Sequence, residues 1–84
     1  MADMSIELLL FAEVAQECGT QRLSVPCEAG STVDQLLAGL TESHPQIAAR
    51  REVIAIAVNE CYVNRDHVLH DGDTIAIIPP VSGG

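Results

Sequence analysis

The chain has 84 residues, 12 acidic side chains against four basic ones, all Arg, and a formal net charge of −8. That length fits one domain with a thin core, and a hydrophobic content of 48% is too high for a disordered chain. The charge repels phosphate backbones and anionic lipid, and an aromatic content of 2% leaves few rings for base stacking, so nucleic-acid and membrane binding are set aside. The acidity itself suits solubility or steering toward a basic partner surface. No apolar run reaches the length of a membrane helix, and Met1-Ala2-Asp3-Met4 lacks the basic start of a secretion signal. Three cysteines, an odd count without a CxxC pair, fit free thiols in the cytoplasm.

Ser5 to Ala12 reads as a strand with apolar residues on both faces, Ile6, Leu8 and Leu10 on one and Leu9 and Phe11 on the other. Glu13 to Gly19 is a short helical turn closed by Gly19. Arg22 to Glu28 alternates as a half-buried strand, and Pro26 marks it as an edge. It forms a hairpin with the first strand. Thr32 with Gln35 makes a capping box, and Val33, Leu36, Leu37 and Leu40 form one apolar helical stripe that Pro45 ends near Ser43. Gln46 to Glu52 is a polar connection. Val53 to Val58 is a buried strand, Asn59-Glu60 a turn, and Cys61 to Val63 a short return strand. Asp71-Gly72-Asp73 turns the chain into a last strand, Thr74 to Ile78. This order predicts an α+β domain over residues 1–78, a mixed sheet packed on one main helix. The third strand is expected beside the first, in parallel. A ubiquitin-like β-grasp meets these constraints.

The folded body offers little chemistry. Cys27 alternates inward with Leu23 and Val25 and reads as a small hydrophobe, while Cys61 is expected to be partly exposed. His67 and His70 stand beside Asp66, Asp71 and Asp73, but before a strand their spacing does not put them on one face, so no metal site is expected. His44, at the helix end, is expected to meet the last carbonyls. No glycine-rich phosphate loop is present. The unusual feature is residues 79–84. Pro79-Pro80 stiffens the exit, Val81 supplies one apolar anchor, and Ser82, Gly83 and Gly84 lose bulk in steps. Such a tail reaches roughly 20 Å, and bare backbone at Gly83 and Gly84 can thread a channel closed to side chains. A frayed end with no function is the plain alternative.

The ending Ile78-Pro79-Pro80-Val81-Ser82-Gly83-Gly84 resembles the C-terminal signature of the molybdopterin synthase small-subunit family. Leu10-Phe11-Ala12, Gly30-Ser31-Thr32-Val33, His44-Pro45, Ala57-Val58-Asn59, Tyr62-Val63 and Asp71-Gly72-Asp73 extend the resemblance along the chain. It departs in lacking Lys, in Cys61 and in His67 and His70. The resemblance implies a β-grasp sulfur carrier with no stably bound cofactor. Its Gly84 carboxylate would be adenylated with ATP by a ubiquitin-activating-like adenylyltransferase, then converted by a sulfurtransferase system to a thiocarboxylate. It would give sulfur to cyclic pyranopterin monophosphate inside a large subunit, in a heterotetramer of two small and two large subunits. Gly83 and Gly84 would carry the reaction, and Phe11, Pro79, Pro80, Val81 and Ser82 would meet partners. On this reading the chain is not catalytic alone. Carriers for thiamine thiazole or cysteine, a protein modifier joined to lysines, and a non-covalent β-grasp module remain alternatives.

Overall fold

The computed structural model describes residues 3–80. Along the chain lie β1 (Asp3–Leu10), α1 (Ala12–Cys18), β2 (Arg22–Glu28), α2 (Val33–Ser43), α3 (Pro45–Ala48), β3 (Ala55–Val58), β4 (Cys61–Tyr62) and β5 (Thr74–Ile78). The strands form one mixed sheet in the order β2-β1-β5-β3-β4. β1 runs antiparallel to β2 and parallel to β5, and β3 runs antiparallel to both β5 and β4. Helices cover one face, giving the α+β β-grasp that the element order predicts.

Period-two patterning decides which side chains make the core. Met4, Ile6, Leu8 and Leu10 of β1, Val25 of β2, Ile75 and Ile77 of β5, and Ile56 and Val58 of β3 are buried. Across the sheet the half-buried Leu23 lines up with the buried Leu8, Ile75 and Val58, and one row on Leu10 lines up with Ile77 and Ile56. The stripe of α2, Val33, Leu36, Leu37 and Leu40, closes over them. Each fully buried aliphatic side chain contributes roughly 1.5–3 kcal/mol by leaving water. The capping box of α2 forms as the sequence requires. Gln35 N–H donates to Thr32 Oγ1 at 3.2 Å, and Thr32 N–H donates to Gln35 Oε1 at 2.9 Å. Gly19 ends α1 at φ 75°, the left-handed conformation that favours glycine.

The structure corrects several expectations. The strand parallel to β1 is β5, not β3. β5 carries apolar residues on both faces, with Ile75 and Ile77 fully buried, and so takes the centre; β3, with Ala55 exposed, sits one place outward. Residues 46–52 are not a plain connection, because Pro45 opens α3 and places Ile47 in the core. α1 and α3 pack on one another, so α2 does not cover the sheet alone. The strand after α3 starts at Ala55, leaving Val53 60% exposed. The His44 ring bonds Ser43 Oγ at 3.0 Å, and it is the His44 N–H that donates to the Leu40 carbonyl. β1 likewise starts at Asp3 and ends at Leu10, with Ala12 already in α1.

Candidate functional site

The face of the sheet away from α2 is built from the odd positions of β1 and the partners they select. The register sets Arg22, Leu9, Ala76, Ala57 and Tyr62 side by side across all five strands. The next row toward the end of β5 holds Ile78 beside Ala55. Leu9, Ala76 and Ile78 are half-buried and Tyr62 is 74% exposed. Phe11, one step past β1, is 45% exposed. Small Ala side chains in the middle and large apolar ones at the ends make a shallow apolar surface with Tyr62 and Phe11 standing above it. Exposed aromatics of this kind anchor partner interfaces.

Charge divides this face. Around the start of β5 lie Glu7, Asp71 and Asp73, while the end of β5 is apolar. The acidic end is tied down by backbone bonds. Ser5 N–H donates to Asp71 Oδ1 at 2.8 Å, His70 N–H to Asp73 Oδ2 at 2.9 Å, and Thr74 N–H to Asn59 Oδ1 at 3.1 Å. β5 therefore enters the sheet at a rigid, acidic corner and leaves it on the apolar side. Because β5 is central, its exit lies beside Leu10 of β1 and Ala55 of β3 rather than at a fraying edge. Pro79 is buried there and Pro80 is exposed, so the presented tail begins at Pro80. The expected site residues Val81, Ser82, Gly83 and Gly84 lie outside the described residues.

The remaining candidates stay apart from this exit. His67 and His70 are exposed, and no group of three or more His, Cys, Asp or Glu side chains among the described residues could hold a metal. Burial pushes the Cys18 thiol up, helped by the Glu17 carboxylate and opposed by Arg50. Burial also raises Cys27, against a hydrogen bond from Ser31 that lowers it. Both thiols are thereby held in the unreactive protonated form. Cys61 is exposed. No helix among the described residues is long and apolar enough to cross a membrane. In the sequence Leu9 and Phe11 share one strand face, whereas Tyr62, Ala57, Ala76 and Ile78 do not show as one surface with them. Their signal was the alternation in Ala-Ile-Ala-Val and Ile-Ala-Ile-Ile, which becomes a face only when the strand order is known.

Comparison with known proteins agrees with this geometry. The ThiS family model matches residues 8–84. The chain is 40% identical over 81 residues to the molybdopterin synthase sulfur carrier subunit of Dictyostelium discoideum, covering 93% of this chain and 94% of that protein. The crystal structure of SAMP1 from Haloferax volcanii superposes with a TM-score of 0.83 at 30% identity, covering 95% of this chain and 99% of that one. A complex of subunits 1 and 2 of molybdopterin-converting factor from Helicobacter pylori contains a chain of TM-score 0.67 at 28% identity, with 96% and 100% covered. A central β5 leading to a Pro-Pro-Val-Ser-Gly-Gly ending, on a sheet matched over nearly its whole length, makes this chain a member of the ThiS family.

Proposed function

We propose that the chain is the sulfur carrier subunit of a molybdopterin synthase, with the Gly84 carboxylate as its reacting group. The observation that carries this reading is the exit of β5 onto an apolar face. A partner gripping Phe11, Leu9, Tyr62 and Ile78 necessarily receives Pro80 and the tail at the same place. The family match through residue 84 and the sulfur carrier subunits among its relatives support it.

A carboxylate is a poor electrophile, so the sequence of steps follows from its chemistry. Gly84 first attacks the α-phosphorus of ATP on an adenylyltransferase, forming the acyl adenylate and releasing pyrophosphate. A persulfide sulfur on a sulfurtransferase then displaces AMP to give an acyl disulfide, and a thiol cleaves its S–S bond, leaving the thiocarboxylate and a disulfide. The tail carries this sulfur into the large subunit and gives it to cyclic pyranopterin monophosphate, and two such deliveries build the dithiolene. One small subunit at each of two large subunits makes the assembly a heterotetramer. ATP and the pterin are substrates of the partners, and the carrier itself holds no cofactor. Its work is to dock, to reach and to expose bare backbone at the reacting end. The net charge of −8 steers it to basic partner surfaces, and the compartment is the cytoplasm.

Intact-mass measurement tests the reading. With a cognate adenylyltransferase, ATP and a sulfur donor, the chain gains the mass difference of one oxygen replaced by sulfur. A variant lacking Gly84 gains nothing and keeps its fold. Sulfur transfer by that variant at the wild-type rate overturns the proposal. The likeness to SAMP1, a modifier by name in related structures, favours a second reading in which the same activated carboxyl acylates amines. A ladder of amide conjugates in place of the thiocarboxylate would select it.

A further inference from the structure

A chain that carries an activated carboxyl at the end of a bare backbone tail faces a hazard from its own surface. An acyl adenylate that meets a lysine amine forms an amide and expels AMP; the amine proton goes to solvent. Unlike a thioester formed at a thiol, that amide is not undone by thiols. Lysine is among the commonest surface residues, yet all four basic residues here are Arg. The guanidinium stays protonated and is not a nucleophile near neutral pH.

Packing explains only half of that choice. Arg50 uses the fork that lysine lacks: Nη1 donates to Glu17 Oε1 at 3.1 Å and to the Gln46 carbonyl at 2.9 Å, while Nη2 donates to Glu17 Oε2. Arg65 reaches the Ile54 carbonyl at 2.7 Å from a half-buried position. Arg22 makes one contact, Nη2 to Glu7 Oε1 at 2.8 Å, with its side chain 67% exposed. Arg51 is exposed and lies beside Asp34 and Glu52. A lysine ammonium would serve the fold equally at positions 22 and 51.

Position 22 is also the dangerous one. Arg22 pairs with Leu9, and Leu9 pairs with Ala76 of β5. Two strand spacings put it roughly 10 Å from β5. Pro80 lies four residues, roughly 13 Å, further along that direction, so position 22 is roughly 16–17 Å from the origin of the tail. Pro80 to Gly84 can span roughly 17 Å, and a lysine side chain at position 22 adds to that reach.

We propose that this chain is a one-way acyl donor. Its arginine-only basic surface gives the activated Gly84 carboxyl no side-chain amine on itself or on a second copy, so a thiol-stable side-chain amide forms only on a partner. The inference rests on the activation step under Proposed function.

The test uses wild type, Arg22→Lys and Arg51→Lys, each incubated with a cognate adenylyltransferase and ATP, without a sulfur donor. Pyrophosphate release and thiol-resistant adducts are read in parallel, and adducts are expressed per pyrophosphate released. Wild type gives no side-chain amide. Arg22→Lys gives a product lighter than the chain by one water, with the amide between the position-22 side chain and Gly84 mapped by peptide mass. Its yield exceeds any dimer by about tenfold or more, since a tethered group acts at an effective concentration on the order of mM and the second copy is at about µM. Arg51→Lys gives the dimer. If both variants release pyrophosphate and form no more adduct than wild type, the inference is overturned while the sulfur-carrier reading stands. Side-chain amides in wild type overturn it equally. If wild type releases no pyrophosphate, the activation step fails and takes this inference with it.

Discussion

Ile77 and Ile78 are adjacent, chemically identical and assigned opposite duties by the sheet. Ile77 is 0% exposed, between Leu10 and Ile56 on the helix-covered face. Ile78 is half-buried on the outer face, beside Ala55 and next to the buried Pro79. Ile77→Ala removes three carbons from a closed site and costs about 2–5 kcal/mol. A domain of this size has roughly 4–13 kcal/mol in all, and each kcal/mol moves Tm by roughly 4–8 °C. A fall of about 10 °C or more is therefore expected. Ile78→Ala removes the same carbons from a site already open on one side, and its cost is about 1 kcal/mol or less. Its larger effect is on docking to the adenylyltransferase and the large subunit, where loss of an interface anchor weakens Kd about fivefold or more. Melting curves and titration calorimetry on both variants give the two numbers. Equal loss of Tm in the two variants would refute the assignment of faces, and unchanged Kd for Ile78→Ala would remove the outer face as the docking surface.

The other outcomes follow from local chemistry. Gly83→Ala leaves Tm unchanged but cuts sulfur transfer on the order of 100-fold in a single-turnover assay, because a methyl group displaces the reacting carbon in a channel fitted to bare backbone; Ser82→Ala, farther from that carbon, is much milder. Glu60 holds φ 72° after Asn59 at φ 50° in the two-residue turn between β3 and β4. That turn favours Asn-Gly, so Glu60→Gly raises stability by about 1 kcal/mol in a denaturant titration. The raised thiols of Cys18 and Cys27 keep their protons in the fold at pH values where the unfolded chain, with a thiol near 9.0, loses them. The folded state then binds more protons, so stability is intact below about pH 8 and falls as pH rises through the thiol range. In alkylation kinetics at about pH 8, exposed Cys61 reacts before Cys18 and Cys27.

Local rules carried most of the fold into the sequence. The Thr32–Gln35 box, the Leu36, Leu37 and Leu40 stripe and the Gly19 cap each depend on a few neighbouring residues, and each is found as read. Strand order is of another kind. Val53 to Val58 and Thr74 to Ile78 both alternate between apolar faces, and nothing local says which of them lies against β1. The choice shows only in the tertiary structure: β5 is bonded on both sides, to β1 and to β3, with Ile75 and Ile77 fully buried, while β3 leaves Ala55 exposed on the outer face. α3 was hidden for a related reason. Its four residues carry one core side chain, Ile47, and one apolar residue shows no helical period.

The site divides along the same line. The tail is named from the sequence because its proposed chemistry is written in consecutive residues, which lie largely outside the described ones. The docking face is not, because Arg22, Leu9, Ala76, Ala57 and Tyr62 come from five strands and become neighbours only through register. Placing β5 at the centre links the two. An edge strand could slip or fray and would present the tail over a range of positions. A strand bonded on both sides fixes Ile78 and Pro79 relative to Phe11 and Tyr62. A partner that holds the face then holds the origin of the tail within the tolerance that the proposed chemistry at Gly84 requires, since an error of about 1 Å at a reacting centre costs on the order of 100-fold in rate.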